Sequence, residues 1–373
     1  MIKKKNKNYR LVTEDRKKIF TIALFALMFG TFIMGLTAGA LCASPYRYDE
    51  LTIPILTYHK FCDGESPDEY TINADLFQKH MKYLKDNDYR VISLTQLLEC
   101  VKNNFYPEKP VVITIDDGFK SVYTHAFPVL KKYDFPATLF LYTDFVGNNS
   151  NQLTWVEIKE MISGGMEIGS HTLSHANLLN MKKGESYADY CNRIKKEIQL
   201  SKTILEKNTG SPVLSFAYPY GVYSQEIMLM AKEAGYKALL NVNSMNNSIP
   251  INTYSLNRQI IFSACSLAQF QSIVQEKTLP VNDIFPPDGT VTDNQGLTIG
   301  AILLSDTNIE LGSLGLRLSG AGLTHIYQPE TQKISFTPDA PKLLQKRTWI
   351  AQITARDTDT GQRRKVAWLF TVR

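Results

Sequence analysis

The sequence predicts an α/β domain built on a parallel sheet or barrel, followed by an all-β sandwich and preceded by a membrane-spanning segment. Three observations carry this. From about residue 50 to 275, short apolar runs alternate with stretches of helical period, the pattern of a parallel sheet crossed by helices. After Lys277 the helical period disappears and short strand-like segments separated by turns take over, as in a sandwich. Between Ile19 and Ala43 there is no charged residue, and about 20 apolar residues suffice to cross the hydrocarbon core.

The N-terminal 18 residues carry Lys3, Lys4, Lys5, Lys7, Arg10, Arg16, Lys17 and Lys18 against only Glu14 and Asp15. A basic block before an apolar run marks a cytoplasmic tail (1–18), an anchor in the cytoplasmic membrane (19–43) and an extracytoplasmic remainder. A cleaved signal peptide, with Ala38-Gly39-Ala40 at the cleavage site and a secreted product, is the competing reading. Its apolar region would ordinarily be only about 7–15 residues long. Gly35 and Gly39 have the spacing of a helix-pairing face, and small residues are common in such helices. The formal net charge of the 373 residues is +5. Since the tail holds that excess, the rest is nearly neutral and offers no nucleic-acid surface. Hydrophobic residues at 44% and charged residues at 21% exclude a disordered chain and a polytopic membrane protein. Cys42, Cys62, Cys100, Cys191 and Cys265 are too few and too scattered for a disulfide framework or a thiolate zinc site.

Within the α/β region, residues 54–58, 111–115, 138–141, 167–170 and 213–216 read as strands. The run Val111-Val112-Ile113-Thr114-Ile115 is continuous and β-branched, as expected of a strand buried on both faces. Asn73 reads as an N-cap before Phe77, Met81 and Leu84, and Thr154 with Glu157 as a capping box. A further helix is expected over 188–208, with Ile194, Ile198 and Leu205 on one face. Residues 278–290, rich in proline, read as a linker. Strands are expected at 298–304, 315–319, 333–337, 349–355 and 366–372, with Trp349 and Trp368 in the sandwich core. Trp155 is expected to pack on the barrel, and His80 and His125 to be structural or exposed.

Four of the strands end in chemically capable residues: His59, Asp116-Asp117-Gly118, His171, and Tyr218-Pro219-Tyr220-Gly221. The C-terminal ends of parallel strands form the active-site face of a barrel. Neighbours in a strand point to opposite faces, so Asp116 and Asp117 converge only where the strand finishes, and Gly118 supplies the permissive backbone. The bland alternative is one helix-capping Asp and one solvated Asp. In His171-Thr172-Leu173-Ser174-His175 two imidazoles four apart share a face if the segment makes a helical turn, an arrangement that suits zinc. A carboxylate as third ligand leaves a position for water, as hydrolytic metal sites require.

Thr114-Ile115-Asp116-Asp117-Gly118, His171-Thr172-Leu173-Ser174-His175 and Phe216-Ala217-Tyr218-Pro219-Tyr220-Gly221 resemble the T-F-D-D-G, H-[ST]-x-x-H and R-x-P-Y motifs of the polysaccharide deacetylases of carbohydrate esterase family 4, the NodB-homology family. With Tyr58-His59 near the domain start, residues 50–277 resemble the permuted subgroup that includes poly-N-acetylglucosamine deacetylases of biofilms. Residues 291–373 resemble bacterial immunoglobulin-like modules, a spacer or a contact to the cell envelope. The resemblance implies a distorted (β/α)7 barrel and a metal-dependent N-deacetylase acting on an extracytoplasmic N-acetylated polysaccharide. It implies Asp117, His171 and His175 as ligands of Zn2+, with Co2+ or Ni2+ also accepted. Asp116 would take the proton of the attacking water. Tyr220, through its backbone N–H, would stabilise the oxyanion, with Tyr218 and Arg258 on the substrate side. Ala217 stands where many members have the Arg that orients the base; Arg258, from a later strand, is either the replacement or a surface arginine. No L-x-x-H motif follows His175, which moves the proton-donor role to His59. Peptidoglycan is the alternative substrate, and a non-catalytic glycan-binding surface protein the alternative of a different class.

Overall fold

The computed structural model describes residues 51–293, 296–305, 307–338 and 344–373. The expected tail and membrane segment lie outside them. Among the described residues no helix is long and apolar enough to cross a membrane.

Seven parallel strands form the first domain: β1 (Ile55–Tyr58), β2 (Pro110–Asp117), β3 (Thr138–Leu141), β4 (Glu167–Ser170), β5 (Ser215–Ala217), β6 (Ala238–Leu240) and β7 (Gln259–Ile260). Their order is β6-β5-β4-β3-β2-β1-β7, with the short strand Arg90–Val91 also paired to β2. A single bridge between Leu240 and Leu256 links the β6 edge to the chain leading into β7. The result is a parallel sheet curled into a distorted barrel. β1 and β3 are buried at every position, the consequence of helices packing outside and side chains filling the inside.

The helices start where the sequence predicts. Asn73 Oδ1 accepts from Leu76 N–H at 3.0 Å ahead of the helix Ala74–Asp86. Thr154 and Glu157 form a reciprocal capping box at the helix Trp155–Ser163. The helix Tyr187–Thr209 turns Ile194, Ile198 and Leu205 inward and ends at Gly210, whose φ of 72° only a residue without a Cβ adopts freely. Trp155 packs against the barrel core, and His80 is buried beneath Phe270.

The C-terminal domain has a six-stranded and a four-stranded sheet sharing one core that includes Ile299, Leu316, Ile353, Trp349 and Trp368. Its spine is the hairpin Thr348–Asp357 with Arg363–Val372. The expected linker is not a linker. Val281–Phe285 pairs antiparallel with Ile299–Leu303, and Lys277–Thr278 and Thr290–Thr292 both run parallel to Arg363–Val372. Proline and glycine signal the turns between these strands, and the strands themselves are too short and half-exposed to show an apolar pattern. The two domains share packing: Leu369 belongs to the barrel core and Met245 to the sandwich core. Cys62, Cys100, Cys191 and Cys265 are all free thiols.

Candidate active site

The C-terminal mouth of the barrel gathers the chemistry. Asp116 is the last inward residue of β2, and Asp117 follows with φ 78°, then Gly118 with φ 95°. Two consecutive left-handed residues turn the chain so that both carboxylates face the mouth. At φ 95° a side chain on Gly118 would be strained, and its Cβ would lie 2.6 Å from Leu141 Cδ2, so Leu141 would have to shift.

Asp117 Oδ1 lies 3.4 Å from His175 Nε2 and 3.8 Å from His171 Nε2. The three ligand atoms all lie within 4.8 Å of one another. His171 Nδ1 is 2.7 Å from the carbonyl of Ala217. A carbonyl only accepts, so Nδ1 carries the proton and Nε2 presents its lone pair to the cluster. The segment 171–175 is not the helical turn expected from its spacing. Thr172 and His175 have φ of 73° and 59°, and the two imidazoles converge through a loop. That loop is held by Glu197, whose Oε2 accepts from Leu173 N–H (3.1 Å) and Ser174 N–H (3.0 Å), and whose Oε1 accepts from Ser174 Oγ at 2.7 Å.

Asp116 is separately engaged. Arg258, fully buried, donates from Nη1 to Asp116 Oδ1 at 2.7 Å and from Nε to the carbonyl of Asn241 at 3.1 Å. Arg258 enters just ahead of β7. Burial pushes the Asp116 carboxyl up, but the Arg258 guanidinium that donates to it holds it below the usual carboxylate range. Asp117 goes the other way: burial, with the Asp116 charge beside it, raises it to about 7. Its Oδ1 is buried without a hydrogen-bond partner. Burial also lowers His171 to about 3 and depresses His175. An unpartnered carboxylate oxygen between two neutral imidazole nitrogens is a place for a cation, and these donors fit a divalent metal.

His59, following β1, is near enough to Asp116, Arg258 and His175 to feel their charges. Burial depresses it to about 4; its Nδ1 is buried without a partner, and its ring meets Tyr70 edge-on at 5.0 Å. Tyr220, with φ 60° and the residue 61% exposed, flanks His175 with its ring at 4.7 Å.

Tyr218 departs from expectation. It is 1% exposed and stacks on Tyr223 at 4.8 Å, in the core toward the sandwich and not on the substrate side. Tyr218 keeps an extended backbone, whereas the positive φ at Tyr220 turns that residue out to the mouth. Sequence reasoning missed Glu197 and Tyr142, whose ring lies 5.1 Å from His175. Glu197 carried a signal: it is an acidic residue on the inward face of a helix, between Ile194 and Ile198.

A parallel barrel with a carboxylate–imidazole cluster at its mouth, beside a second carboxylate held by a buried arginine, is the framework of a hydrolase that activates water. The comparisons with known proteins specify it further. Residues 103–239 match the family model described as polysaccharide deacetylase. The chain is 28% identical over 233 residues to a poly-beta-1,6-N-acetyl-D-glucosamine N-deacetylase of Staphylococcus aureus, covering 58% of this chain and 80% of the relative. It superposes on the Streptococcus pyogenes deacetylase PplD, solved with acetate, with a TM-score of 0.55 and 28% identity over 60% of this chain and 99% of that one. A Bacillus cereus polysaccharide deacetylase, BC0361, matches at a TM-score of 0.53 and 28% identity, covering 60% and 69%. Residues 103–239 thus lie in a polysaccharide deacetylase domain, and the barrel around them is similar in sequence and fold to these deacetylases.

Proposed function

We propose that this deacetylase is metal-dependent and removes N-acetyl groups from a poly-β-1,6-N-acetylglucosamine-like glycan outside the cytoplasm. The observation that carries the metal dependence is the buried, unpartnered Asp117 Oδ1 set between the Nε2 atoms of His171 and His175. Those three residues would hold the metal, with Zn2+ favoured. When bound, a divalent cation lowers the pKa of water toward about 7 and polarises a carbonyl.

The chain's residues divide the rest. Asp116, kept ionised by Arg258, takes the proton of the water that attacks the acetyl carbonyl. The carbon–nitrogen bond then breaks, and the nitrogen leaves only with a proton, which His59 gives. His59 rests neutral at pH 7 because burial disfavours its charge; the proton it gives to the nitrogen is the one that Asp116, close enough to feel it, has drawn from the water, so the attacking water's proton ends on the amine. Tyr220 lies at the open rim beside His175, where its backbone N–H stabilises the developing oxyanion and its ring covers the acyl group. The glycan is proposed from the staphylococcal relative. The location is proposed from the uncharged run 19–43 behind its basic flank, with the sandwich as a spacer or envelope contact.

Acetate release compared on a β-1,6-linked N-acetylglucosamine polymer, chitin oligomers and peptidoglycan tests the reading. Preference for the first is expected. Turnover of peptidoglycan alone would replace the substrate, and activity undiminished by chelation would remove the metal.

A further inference from the structure

The geometry points to Asp288, in the segment joining barrel and sandwich, as a positioning residue for the active site: it ties the sandwich to the two barrel loops that carry Arg258 and Tyr220. The inference rests on the catalytic reading above for its consequence, not for its structure.

Asp288 lies between the strands Val281–Phe285 and Thr290–Thr292 of the sandwich. Its carboxylate accepts from four donors. Oδ1 takes Leu369 N–H at 3.0 Å and Asn243 Nδ2 at 3.5 Å; Oδ2 takes Ser255 Oγ at 3.0 Å and the hydroxyl of Tyr223. Leu369 belongs to the sandwich strand Arg363–Val372; the other three donors are barrel residues. Gly289 fixes the approach. Its N–H reaches the Leu369 carbonyl at 2.9 Å and its carbonyl accepts from Gln225 N–H at 3.1 Å. With φ 73° and a Cβ position 2.9 Å from Tyr223, it admits no side chain without displacement.

Two paths lead from this carboxylate to the mouth. In the first, Ser255 Oγ also accepts from Asn241 Nδ2 at 3.3 Å, and the Asn241 carbonyl receives Arg258 Nε at 3.1 Å, while Nη1 of the same guanidinium holds Asp116. Asn243 reinforces this path, its N–H donating to Asn241 Oδ1 at 3.0 Å and its Nδ2 to Asn257 Oδ1 at 3.1 Å. In the second, Tyr223 stacks on Tyr218 at 4.8 Å with the planes 12° apart, and Tyr218 opens the turn that presents Tyr220. Asp288 touches neither substrate nor metal ligand. It fixes the carbonyl of Asn241 that aims Arg258 and the tyrosine pair beneath Tyr220. The sandwich is therefore part of the catalytic scaffold in this chain.

The test uses the full chain carrying Asp288→Ala, with Ile353→Ala in the sandwich core, away from both paths, as the control for lost stability. Hydrogen exchange read by mass spectrometry should rise over 218–223 and 241–258 in Asp288→Ala and stay unchanged there in Ile353→Ala. Acetate release should lose about 2- to 30-fold in kcat, the range for a residue that acts through a chain of contacts, with KM and bound metal little changed. Combining Asp288→Ala with Arg258→Ala should cost less than the two single losses together, the remainder being the Tyr220 path. If Asp288→Ala does not fold, Asp288→Asn, which keeps an acceptor for Leu369, should show the same exchange pattern with a smaller loss. Unchanged exchange in those loops, kcat within twofold of the parent, an equal loss in Ile353→Ala, or additivity with Arg258→Ala would each overturn the proposal. An inactive parent chain would instead sink the catalytic reading, while the exchange measurement still decides the clasp.

Discussion

Among the described residues, Asp117 and Asp288 are carboxylates that burial raises, set in opposite company. Asp117 at the barrel mouth has an oxygen with no hydrogen-bond donor and two neutral imidazoles beside it. Asp288 at the domain junction has four donors on its two oxygens. Burial raises both, so the direction of a pKa shift does not separate a site from a strut. The partners do. A buried charge must be compensated, and where the chain leaves the compensation out, a ligand supplies it.

The largest effect that would break this contrast is at the mouth itself. Asp117→Asn, like His175→Ala, should strip the bound metal and reduce acetate release to background. The metal-free fold should be as stable as before or more so, because a buried, unpaired charge is removed. Asp288→Asn should do the reverse, keeping the metal and losing about 1–3 kcal/mol of stability. Metal analysis and thermal unfolding of the two variants side by side check both halves. If Asp117→Asn keeps its metal, the cluster is not the site.

Next in size is the proton donor. His59→Ala should slow hydrolysis of an N-acetyl glucosamine oligomer by about 10²–10⁴-fold and slow an activated aryl acetate far less, since that leaving group departs without a proton. Equal losses on both substrates would make His59 a structural residue.

A smaller effect sharpens the electrostatics. Without a cation Asp117 titrates at about 7, so protons and metal compete for it. The carboxylate is free for metal above that pH, and affinity falls as pH drops through it. From pH 7.5 to 5.5 the measured affinity should fall by roughly tenfold or more. Affinity flat over that range would mean that Asp117 is already ionised in the metal-free protein.

The parts of the molecule that the sequence revealed are those written locally. The β-branched run ending in Asp116-Asp117-Gly118 announces a buried strand and its functional end in one stretch. The caps at Asn73 and Thr154 need only residues three positions away. The segment His171–His175 was legible as a pair of ligands but not as a loop, because spacing alone does not distinguish a helical turn from left-handed residues pinned by Glu197. Tyr218 and Tyr220 look equivalent in sequence, and only the backbone at Tyr220 separates them. Asp288 was hidden among turn residues in an apparent linker. Its donors come from positions 223, 243, 255 and 369, and no local pattern encodes such a meeting.

The central claim is that Asp116 and Asp117, adjacent in the chain, divide catalysis and metal binding between them. Metal content and acetate release measured together on Asp116→Asn test it most directly. The account predicts metal bound as in the parent chain and turnover lowered by about 10²–10⁴-fold. Loss of the metal, or turnover close to that of the parent, would contradict it.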